Sequence, residues 1–409
     1  MKKMNHILFR SMRRIIPRGP GGGPVGIGLC TAGTQPGGIA TPKTGGSVNL
    51  RGMLLALMVT MGSMLQAQDY TDKKSVSRSF PANMETTLEV ENKYGKIKLV
   101  TWEKDSVAVE VDLALTESSS SKLRKLKEDV HIDFTSTNNY IIAKTVIESE
   151  SGRIAKELRN LSNTLTGSNK RMEINYTVRV PEYLDVVLTN KFGDIYMDDL
   201  EGQLELNLSN GALKANRLTG NSSINLSFVD GTIKTLGSCT MSLSYSELEL
   251  EEASQLDLDS KSSRLDADSI NVLKINSRRD RFFFQQVEYL YGRGNFTQLS
   301  VYDFLRECDL YMKYGELTIE HVMPSFSKIY VESDYTDVSL FTDPQCNFTF
   351  DVLHHDKTVL RLPNDATVLE ETYDGKDHYK TVGTMGDPGT ESKITIDALQ
   401  KSFINISIK

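Results

Sequence analysis

LTNKFGDIYMDD, residues 188–199, is followed by LNLSNGALKANR, residues 206–217, in the same frame. In each segment apolar and polar residues alternate on both sides of a glycine, Gly193 or Gly211. Alternation with a period of two places one set of side chains on one face of a β-strand and the other set on the opposite face. The glycine between the runs indicates a turn, and the recurrence of the frame indicates a repeat architecture.

The same frame can be followed through ten rows. Each row has two inward positions, a turn, and two more inward positions nine residues after the first pair. The rows are Leu88, Val90, Ile97, Leu99; Val186, Leu188, Ile195, Met197; Leu204, Leu206, Leu213, Ala215; Ile224, Leu226, Ile233, Thr235; Cys239, Met241, Leu248, Leu250; Leu256, Leu258, Leu265, Ala267; Leu273, Ile275, Phe282, Phe284; Leu290, Gly292, Leu299, Val301; Cys308, Leu310, Leu317, Ile319; and Ile329, Val331, Val338, Leu340.

From residue 186 onward, row starts lie about 15 to 21 residues apart, most often 17. That period is too short for helix-pair repeats. One row cannot bury its inward face alone, so rows must stack, each strand pairing with the rows above and below at about 4.8 Å. The sequence therefore predicts an all-β protein, a parallel β-solenoid (β-helix) of rows of about 17 residues, with a small α+β insertion after the first row.

This register makes a specific prediction about the core. Five inward residues should stack directly above one another: Ile195, Leu213, Ile233, Leu248 and Leu265. Separate hairpins in a β-sandwich are the alternative, because Asn210-Gly211 and Asp230-Gly231 are also hairpin signals.

The turn inside each row has its own residue pattern. Glycine, which adopts positive φ at no steric cost, stands two residues before the second inward pair in five rows: Gly95, Gly193, Gly211, Gly231 and Gly315. Small polar residues fill that place elsewhere: Ser246, Ser263, Asp280, Thr297 and Thr336. One position earlier aromatic residues recur: Tyr94, Phe192, Tyr245, Phe296, Tyr314 and Tyr335. Stacking would bring some of these rings into a ladder, which either binds a carbohydrate or covers the corner of the coil.

The cysteines test the register. Cys239 and Cys308 fall at inward positions and are predicted to be buried thiols that pack as small apolar residues. Four rows of separation amount to about 19 Å, whereas a disulfide needs Cα atoms within about 7 Å, so these two cannot be bonded to each other.

Composition bounds the class of protein. A net charge of -7 and a pI near 5.6 give no basic surplus, which excludes a nucleic acid as partner. Residues 53–67 have an apolar run that is too short to span a membrane but is typical of a signal peptide, with cleavage expected near Gln68. A buried first strand or helix is the alternative. Residues 1–52, basic and then rich in Gly and Pro, are interpreted as an unstructured extension or a misassigned start.

The remaining chain divides into three parts. Residues 68–181 are predicted to form an N-terminal β-rich cap with a helical insertion, 182–342 the solenoid, and 343–409 irregular C-terminal rows and a cap. Within the first part, 118–130 has helical spacing after a run of serines, 148–171 is polar, and MEINYTVRV, residues 172–180, alternates as a strand.

Two stretches carry a resemblance to a known family. EVENKYGKIKLV, residues 89–100, and RVPEYLDVVLTNKFGDIYM, residues 179–197, with the degenerate rows that follow, resemble the β-strand-repeat putative adhesins of bacterial cell envelopes. The similarity covers about residues 85–342. It implies an exported, non-catalytic, β-solenoid-like protein of unknown biochemical function, and it supplies no functional residues.

Two clusters of polar residues are candidates for a chemical site. Four aspartates, Asp257, Asp259, Asp266 and Asp268, alternate along one row as a solvated face would, and the next row would pair them with Arg278, Arg279 and Arg281. In His354-His355-Asp356, neighbouring side chains on a strand point to opposite faces and cannot converge on a metal. No catalytic, cofactor or metal site is therefore predicted.

The function expected is that of a non-enzymatic envelope or surface protein, in the periplasm, on the outer membrane or outside the cell, without a transmembrane span. Its partner would be an unknown glycan or protein. A self-assembling structural β-helix and a glycan-degrading β-helix enzyme remain as alternatives.

Overall fold

The computed structural model describes residues 69–148 and 172–409. The extension, the signal-peptide segment and the polar segment between 149 and 171 lie outside the described residues. Within the described part, one helix, α1, spans Ser120–Asp129. The strands are β1 (Tyr70–Pro81), β2 (Thr87–Lys93), β3 (Ile97–Thr101), β4 (Ser106–Glu117), β5 (Val130–Ser136), β6 (Tyr140–Ile147), β7 (Met172–Val180), β8 (Asp185–Lys191), β9 (Ile195–Met197), β10 (Leu204–Leu218), β11 (Ser222–Ser244), β12 (Glu247–Lys261), β13 (Arg264–Arg278), β14 (Arg281–Asn295), β15 (Gln298–Lys313), β16 (Glu316–Val322), β17 (Lys328–Asp334), β18 (Asp337–Thr342), β19 (Phe348–His355), β20 (Val359–Arg361), β21 (Thr367–Tyr373), β22 (His378–Met385), β23 (Lys393–Ala398) and β24 (Phe403–Ile408).

Parallel pairing from β8 to β18 builds the body of the molecule. Each row pairs with the next in register, as when Leu256 lies beside Leu273 and Leu273 beside Leu290. The first predicted row stacks on the second despite the long insertion between them, since Leu88 pairs with Val186. The predicted parallel β-solenoid is confirmed, and the parallel ladders do not fit the sandwich of hairpins.

One predicted row is shifted by two residues. Ile224, Leu226 and Ile233 are buried as predicted, but the residues that pair with Leu204, Leu206, Leu213 and Ala215 of the row before are Ser222, Ile224, Gly231 and Ile233. The cause is a false corner signal. Asp230-Gly231 resembles Asn210-Gly211, but Gly231 is an inward residue without a side chain, and Val229 holds the corner position beside Gly211.

The predicted column must be corrected accordingly. Ile195 pairs with Leu213, and Leu248 with Leu265, as expected. Between Leu213 and Leu248, however, lies Gly231, so the placement of Ile233 was wrong. The side chain of Leu248 fills the space above the glycine, because its Cδ1 lies 2.7 Å from the place where a Cβ of residue 231 would be.

A third inward column was missing from the sequence analysis. It follows the second pair of each row and consists of Leu200, Leu218, Leu236, Ala253, Ile270, Val287, Phe304 and Val322, all buried. Consecutive members pair along the stack. Each position is separated from the preceding inward residue by two intervening residues, so strict alternation does not reveal it.

At the amino end, the insertion closes the stack. β6 pairs with β2 and β7 pairs with β3, so together they form one further row below the first predicted row. β4 then adds to β7 in antiparallel fashion, β1 adds to β4, and β5 adds to β6. The predicted helix is present as α1, capped by Ser119, and packs Leu126 into the core.

At the carboxyl end, the last two strands are inserted between strands that precede them in the sequence. β23 lies between β17 and β19, and β24 lies between β18 and β20. β22 adds to β19 in antiparallel fashion, and β21 forms the outer strand. Among the described residues, no helix is long and apolar enough to cross a membrane.

Candidate binding edge

Ten residues form one vertical line at the corner between the two inward pairs, called here the corner column. Its members are Tyr94, Phe192, Asn210, Phe228, Tyr245, Ser262, Arg279, Phe296, Tyr314 and Tyr335. All have φ between 51° and 64°, a left-handed conformation that is an outlier for bulky residues. The N–H of Phe296, for example, donates to the carbonyl of Lys313 in the next row, so the stack itself holds this conformation.

Seven of these ten residues are aromatic. Phe228 is the one that sequence reasoning missed, because its row was shifted by two; a requirement for row spacings of 17 or 18 residues would have found it. The five rings from Phe228 to Tyr335 are between 42% and 56% exposed. Tyr94 instead packs against the core, and its burial raises the pKa of the phenol.

The rings stack on one another in three groups. Tyr94 and Phe192 have centroids 5.4 Å apart, and Phe228 and Tyr245 5.1 Å apart. Tyr314 lies between Phe296 and Tyr335, at 5.0 and 5.2 Å. All four pairs are within 16° of parallel. Within a group, neighbours therefore cover each other's faces, and only ring edges and the outer faces of each group are left to a ligand.

The groups are separated by polar members of the column. Asn210 separates the first two groups, while Ser262 and Arg279 separate the second from the third. The Arg279 guanidinium lies 6.0 Å from the centroid of Phe296, and the Lys261 ammonium lies 5.7 Å from that of Tyr245. Cations thus cover both ring faces that border the second interruption.

The glycines do not act as predicted. Positive φ falls on the corner column, one residue earlier, and the five predicted corner glycines do not have it. At residues 193 and 211 a glycine is needed because the backbones of neighbouring rows lie too close together for a side chain. A Cβ there would collide with the carbonyl of the glycine one row below. The expectation of positive φ at these glycines is therefore wrong, although a corner without a side chain is required there.

In the later rows the same place is occupied by buried polar side chains that reach along the stack. The N–H of Val229 donates to Ser246 Oγ (3.1 Å), that of Ser246 to Ser263 Oγ (3.2 Å), and that of Ser263 to Asp280 Oδ1 (2.7 Å). The other oxygen of Asp280 accepts from Ser277 Oγ at 2.6 Å and from the Arg278 N–H at 2.8 Å. This hydroxyl ladder supports the corner column from inside.

Two of the four aspartates of the acidic cluster, Asp257 and Asp259, make contacts between rows. Asp257 lies 3.4 Å from Lys274 Nζ, and Asp259 accepts from Asn276 at 2.7 Å. For Asp257 and Asp259 the predicted arginine partners are replaced by Lys274 and Asn276, since Arg278 stands opposite Lys261 and Arg281 opposite Arg264. Asp266 lies 3.1 Å from Arg264 of its own strand.

The histidine cluster is divided between two environments. His354 is buried and stacks on Tyr379, whereas Nδ1 of His355 lies 2.7 Å from Asp356 Oδ1. Nowhere in the part of the chain that the structure describes are three His, Cys, Asp or Glu side chains grouped so as to hold a metal ion.

The cysteines behave as predicted. Cys239 and Cys308 are buried free thiols in one inward column, with Leu256, Leu273 and Leu290 between them. Burial raises the pKa of Cys239 to about 12 and that of Cys308 further. Both therefore remain protonated and serve as apolar filling.

Comparison of the sequence with models of protein families found no match, and neither did comparison with curated proteins. Solved structures of bacterial putative adhesins are similar to this chain. A putative cell adhesion protein from Clostridium sporogenes is 10% identical, with 83% of this chain and 100% of the other covered and a TM-score of 0.18. A putative adhesin from Parabacteroides distasonis (11%, coverage 66% and 94%, TM-score 0.28) and one from Bacteroides fragilis (13%, 66% and 98%, 0.25) are also similar. These TM-scores lie below 0.5, so the fold of this chain is defined by its own strand pairing.

Proposed function

We propose that the chain is an exported, non-catalytic protein of the bacterial cell envelope or surface, and that it binds a glycan or a protein through the corner column. The observation that carries the proposal is a line of seven aromatic side chains along one edge of a rigid stack, five of them about half exposed. Clusters of exposed aromatic rings along one edge are typical of binding surfaces. The parallel ladder fixes their spacing, so binding would need little reorganisation.

The cost of the arrangement also supports a role beyond packing. Left-handed backbone is tolerated best by Gly, Asn and Asp, and a bulky residue there costs roughly 1–2 kcal/mol. Asn210 and Ser262 occupy the same column with the same backbone, so the corner does not require a ring. Aromatic residues that are kept at an unfavourable backbone conformation, with about half of their surface exposed, are a reason to expect a ligand.

Binding is tested by capture from envelope extract and on a glycan array, comparing the full chain with a variant in which Phe228→Ser and Tyr245→Ser are combined. Serine is accepted in this column at Ser262, so the variant should fold. Tyr289→Ser with Tyr291→Ser is the matched control, since those rings stack on each other elsewhere. Loss of a captured ligand in the first variant alone is expected. No capture by the unaltered chain would overturn the proposal.

Export has its own test. The apolar run of residues 53–67 supports cleavage near Gln68. Amino-terminal sequencing of the protein recovered from the envelope or medium should begin close to that residue. A mature protein that begins upstream of residue 53 would contradict export by this segment.

A further inference from the structure

The interruption of the corner column at Asn210 has the dimensions of a ligand slot. Phe192 is the outer ring of the first stacked group and Phe228 the outer ring of the second, one row to either side of Asn210. Two row steps separate their planes by about 10 Å. A ring held between two aromatic faces needs roughly that distance, since stacked centroids lie about 4.5–7 Å apart. The asparagine side chain is too short to fill the space between the two phenyl rings.

Within the described residues, Phe192 stacks only on Tyr94 and Phe228 only on Tyr245, so no third ring covers the faces that border Asn210. Among residues 69–148 and 172–409, no lysine or arginine lies over Phe192 or Phe228, in contrast to the covered rings beside Ser262 and Arg279. The exposed Asn210 amide makes no hydrogen bond to another described residue, so it can donate to and accept from a ligand. The slot therefore offers two apolar faces and one polar group between them.

The surface next to the slot indicates which kind of ring fits. Five of the six outward residues that immediately precede the corner column in these rows are neutral hydrogen-bonding groups, and the sixth, Lys191 beside Phe192, is charged. The five are Thr189, Asn207, Ser209, Asn225 and Ser227. Asn225 Nδ2 donates to Asn207 Oδ1 at 2.9 Å, which orders the two amides into a band. A ligand with C–H faces and many neutral hydroxyls matches both surfaces, whereas an aromatic peptide side chain would leave the amide band unused.

We propose that Phe192, Asn210 and Phe228 form a sandwich site for one pyranose ring of a neutral glycan. The ring stacks its C–H faces on the two phenyl groups, and Asn210 binds a hydroxyl at its edge. The next sugar lies on the band of Asn207 and Asn225. This proposal rests on the proposed binding function and assigns its ligand class.

The decisive variant fills the slot. Asn210→Tyr would continue the ladder with a residue that the same backbone accepts in other rows, so the fold should be kept while the slot is closed. Ser262→Tyr adds the same ring at the second interruption and is the matched control. Phe192→Leu and Phe228→Leu remove one face each and leave the site open.

The probes are neutral hexose oligosaccharides, acidic oligosaccharides of equal length, and peptides with one Tyr or Trp, tested by array and calorimetry on the full chain. Neutral sugars should bind the unaltered chain and the Ser262→Tyr variant with equal affinity. They should bind each leucine variant at least tenfold more weakly, and they should not bind the Asn210→Tyr variant. Circular dichroism checks the fold of each variant.

The outcomes separate the slot from the general function. Sugar binding that survives Asn210→Tyr but is lost when Tyr314 and Tyr335 are replaced overturns the slot and leaves the binding function. Preference for acidic sugars or for the peptides overturns the neutral-glycan assignment. Absence of any ligand on the array and in envelope extract overturns both proposals.

Discussion

At the corner of each row, the same backbone conformation is made by residues as different as Asn210, Arg279 and Tyr314. Seven of the ten, among them Ser262, Arg279 and Tyr314, donate their N–H to a carbonyl of the next row, so the parallel ladder and not the side chain selects the left-handed conformation. Stacking of a ring on its neighbour contributes about 0.5–1.5 kcal/mol, which offsets only part of the cost of a bulky residue there. Side-chain identity in this column is therefore free to serve recognition.

The two kinds of glycine can be told apart by substitution. Gly193→Ala would press a Cβ against the carbonyl of Gly95, a backbone atom that cannot move without breaking the ladder. We expect a loss of about 3 kcal/mol in the free energy of unfolding. Gly231→Ala meets only the terminal carbon of Leu248, which can rotate, and should change it by less than about 1 kcal/mol.

Urea denaturation of both variants measures the difference. Equal losses at residues 193 and 231 would show that both glycines stand at equivalent places. In that case the corrected register, and with it the inclusion of Phe228 in the corner column, would be wrong.

Asp280 is the buried carboxylate on which the hydroxyl ladder ends. Asp280→Ala would remove the carboxylate that accepts from the Ser263 N–H and the Arg278 N–H. Hydrogen bonds to charged groups contribute about 1.5–3 kcal/mol each, so a loss of about 3 kcal/mol or more is expected by urea denaturation. Asp257→Ala, on the exposed face, should change stability by no more than about 0.5 kcal/mol. A cost at residue 280 as small as at residue 257 would contradict the ladder.

At the scale of the strand, β16 is joined to both neighbouring rows by one imidazole. His321 Nδ1 lies 2.9 Å from Asp303 Oδ1, and its Nε2 lies 3.2 Å from Asp343 Oδ2. Partial burial lowers the pKa of the imidazole, but the hydrogen bonds and charges of the two carboxylates together outweigh it, and the pKa is raised. The Gln345 N–H and His321 hold the pKa of Asp343 below its usual range.

The sign of the pH dependence follows. The folded state binds the proton more tightly than the unfolded state, so the stabilisation is fully present below the ordinary histidine pKa of about 6.5 and is lost as pH rises through the raised value. His321→Gln should therefore destabilise more at about pH 5.5 than at about pH 9. Denaturant unfolding at both pH values measures this, with His131→Gln in the amino-terminal cap as control. A difference that does not change with pH would exclude the charged bridge.

The strands show which features sequence can predict. Rows such as Leu256, Leu258, Leu265 and Ala267 were found because alternation with a period of two and a constant row length agree there. The row of Gly231 was misplaced because glycine contributes no apolar signal at an inward position and a turn signal at the wrong one. The third column, with Ile270 and Phe304, escaped because its residues do not continue the alternation. Most aromatic residues of the corner column could be predicted from the sequence. Their grouping around Asn210 could not, because it depends on the register of every row.

At the scale of the whole molecule, both ends are closed in the same way. The first two strands of the parallel stack, β2 and β3, and the last two, β23 and β24, do not form its outermost rows but lie one row inside. β6 and β7, which follow β2 and β3 in sequence, form the outermost parallel row at the amino end. β19 and β20, which precede β23 and β24, form the outermost parallel row at the carboxyl end. Antiparallel strands then cover β6 and β7 at the amino end and β19 at the carboxyl end. Such ends do not present the open parallel edge that an end-to-end filament would extend.

The inserted carboxyl-terminal row should be required only at its own end, because each row of a solenoid contacts only its neighbours. In β24, Ile404 and Ile406 are buried against Val338 and Leu340, while the alternate residues Asn405 and Ser407 point outward. Replacing both isoleucines by Asp places two charges in the core and should release β24, and with it β20. Replacing Asn405 and Ser407 by Asp adds the same charge outside and should leave the row in place.

Hydrogen exchange and sedimentation compare the two double variants. For the inward variant we expect loss of amide protection after about residue 328, together with oligomers formed through the uncovered Val338 and Leu340, because an unpaired parallel edge with an apolar face seeks another strand. Rows before residue 300 should keep their protection, since their neighbours are unchanged. Protection lost equally in β2 and β3 would show that the molecule unfolds as one cooperative unit, and independent closure of each end would be wrong.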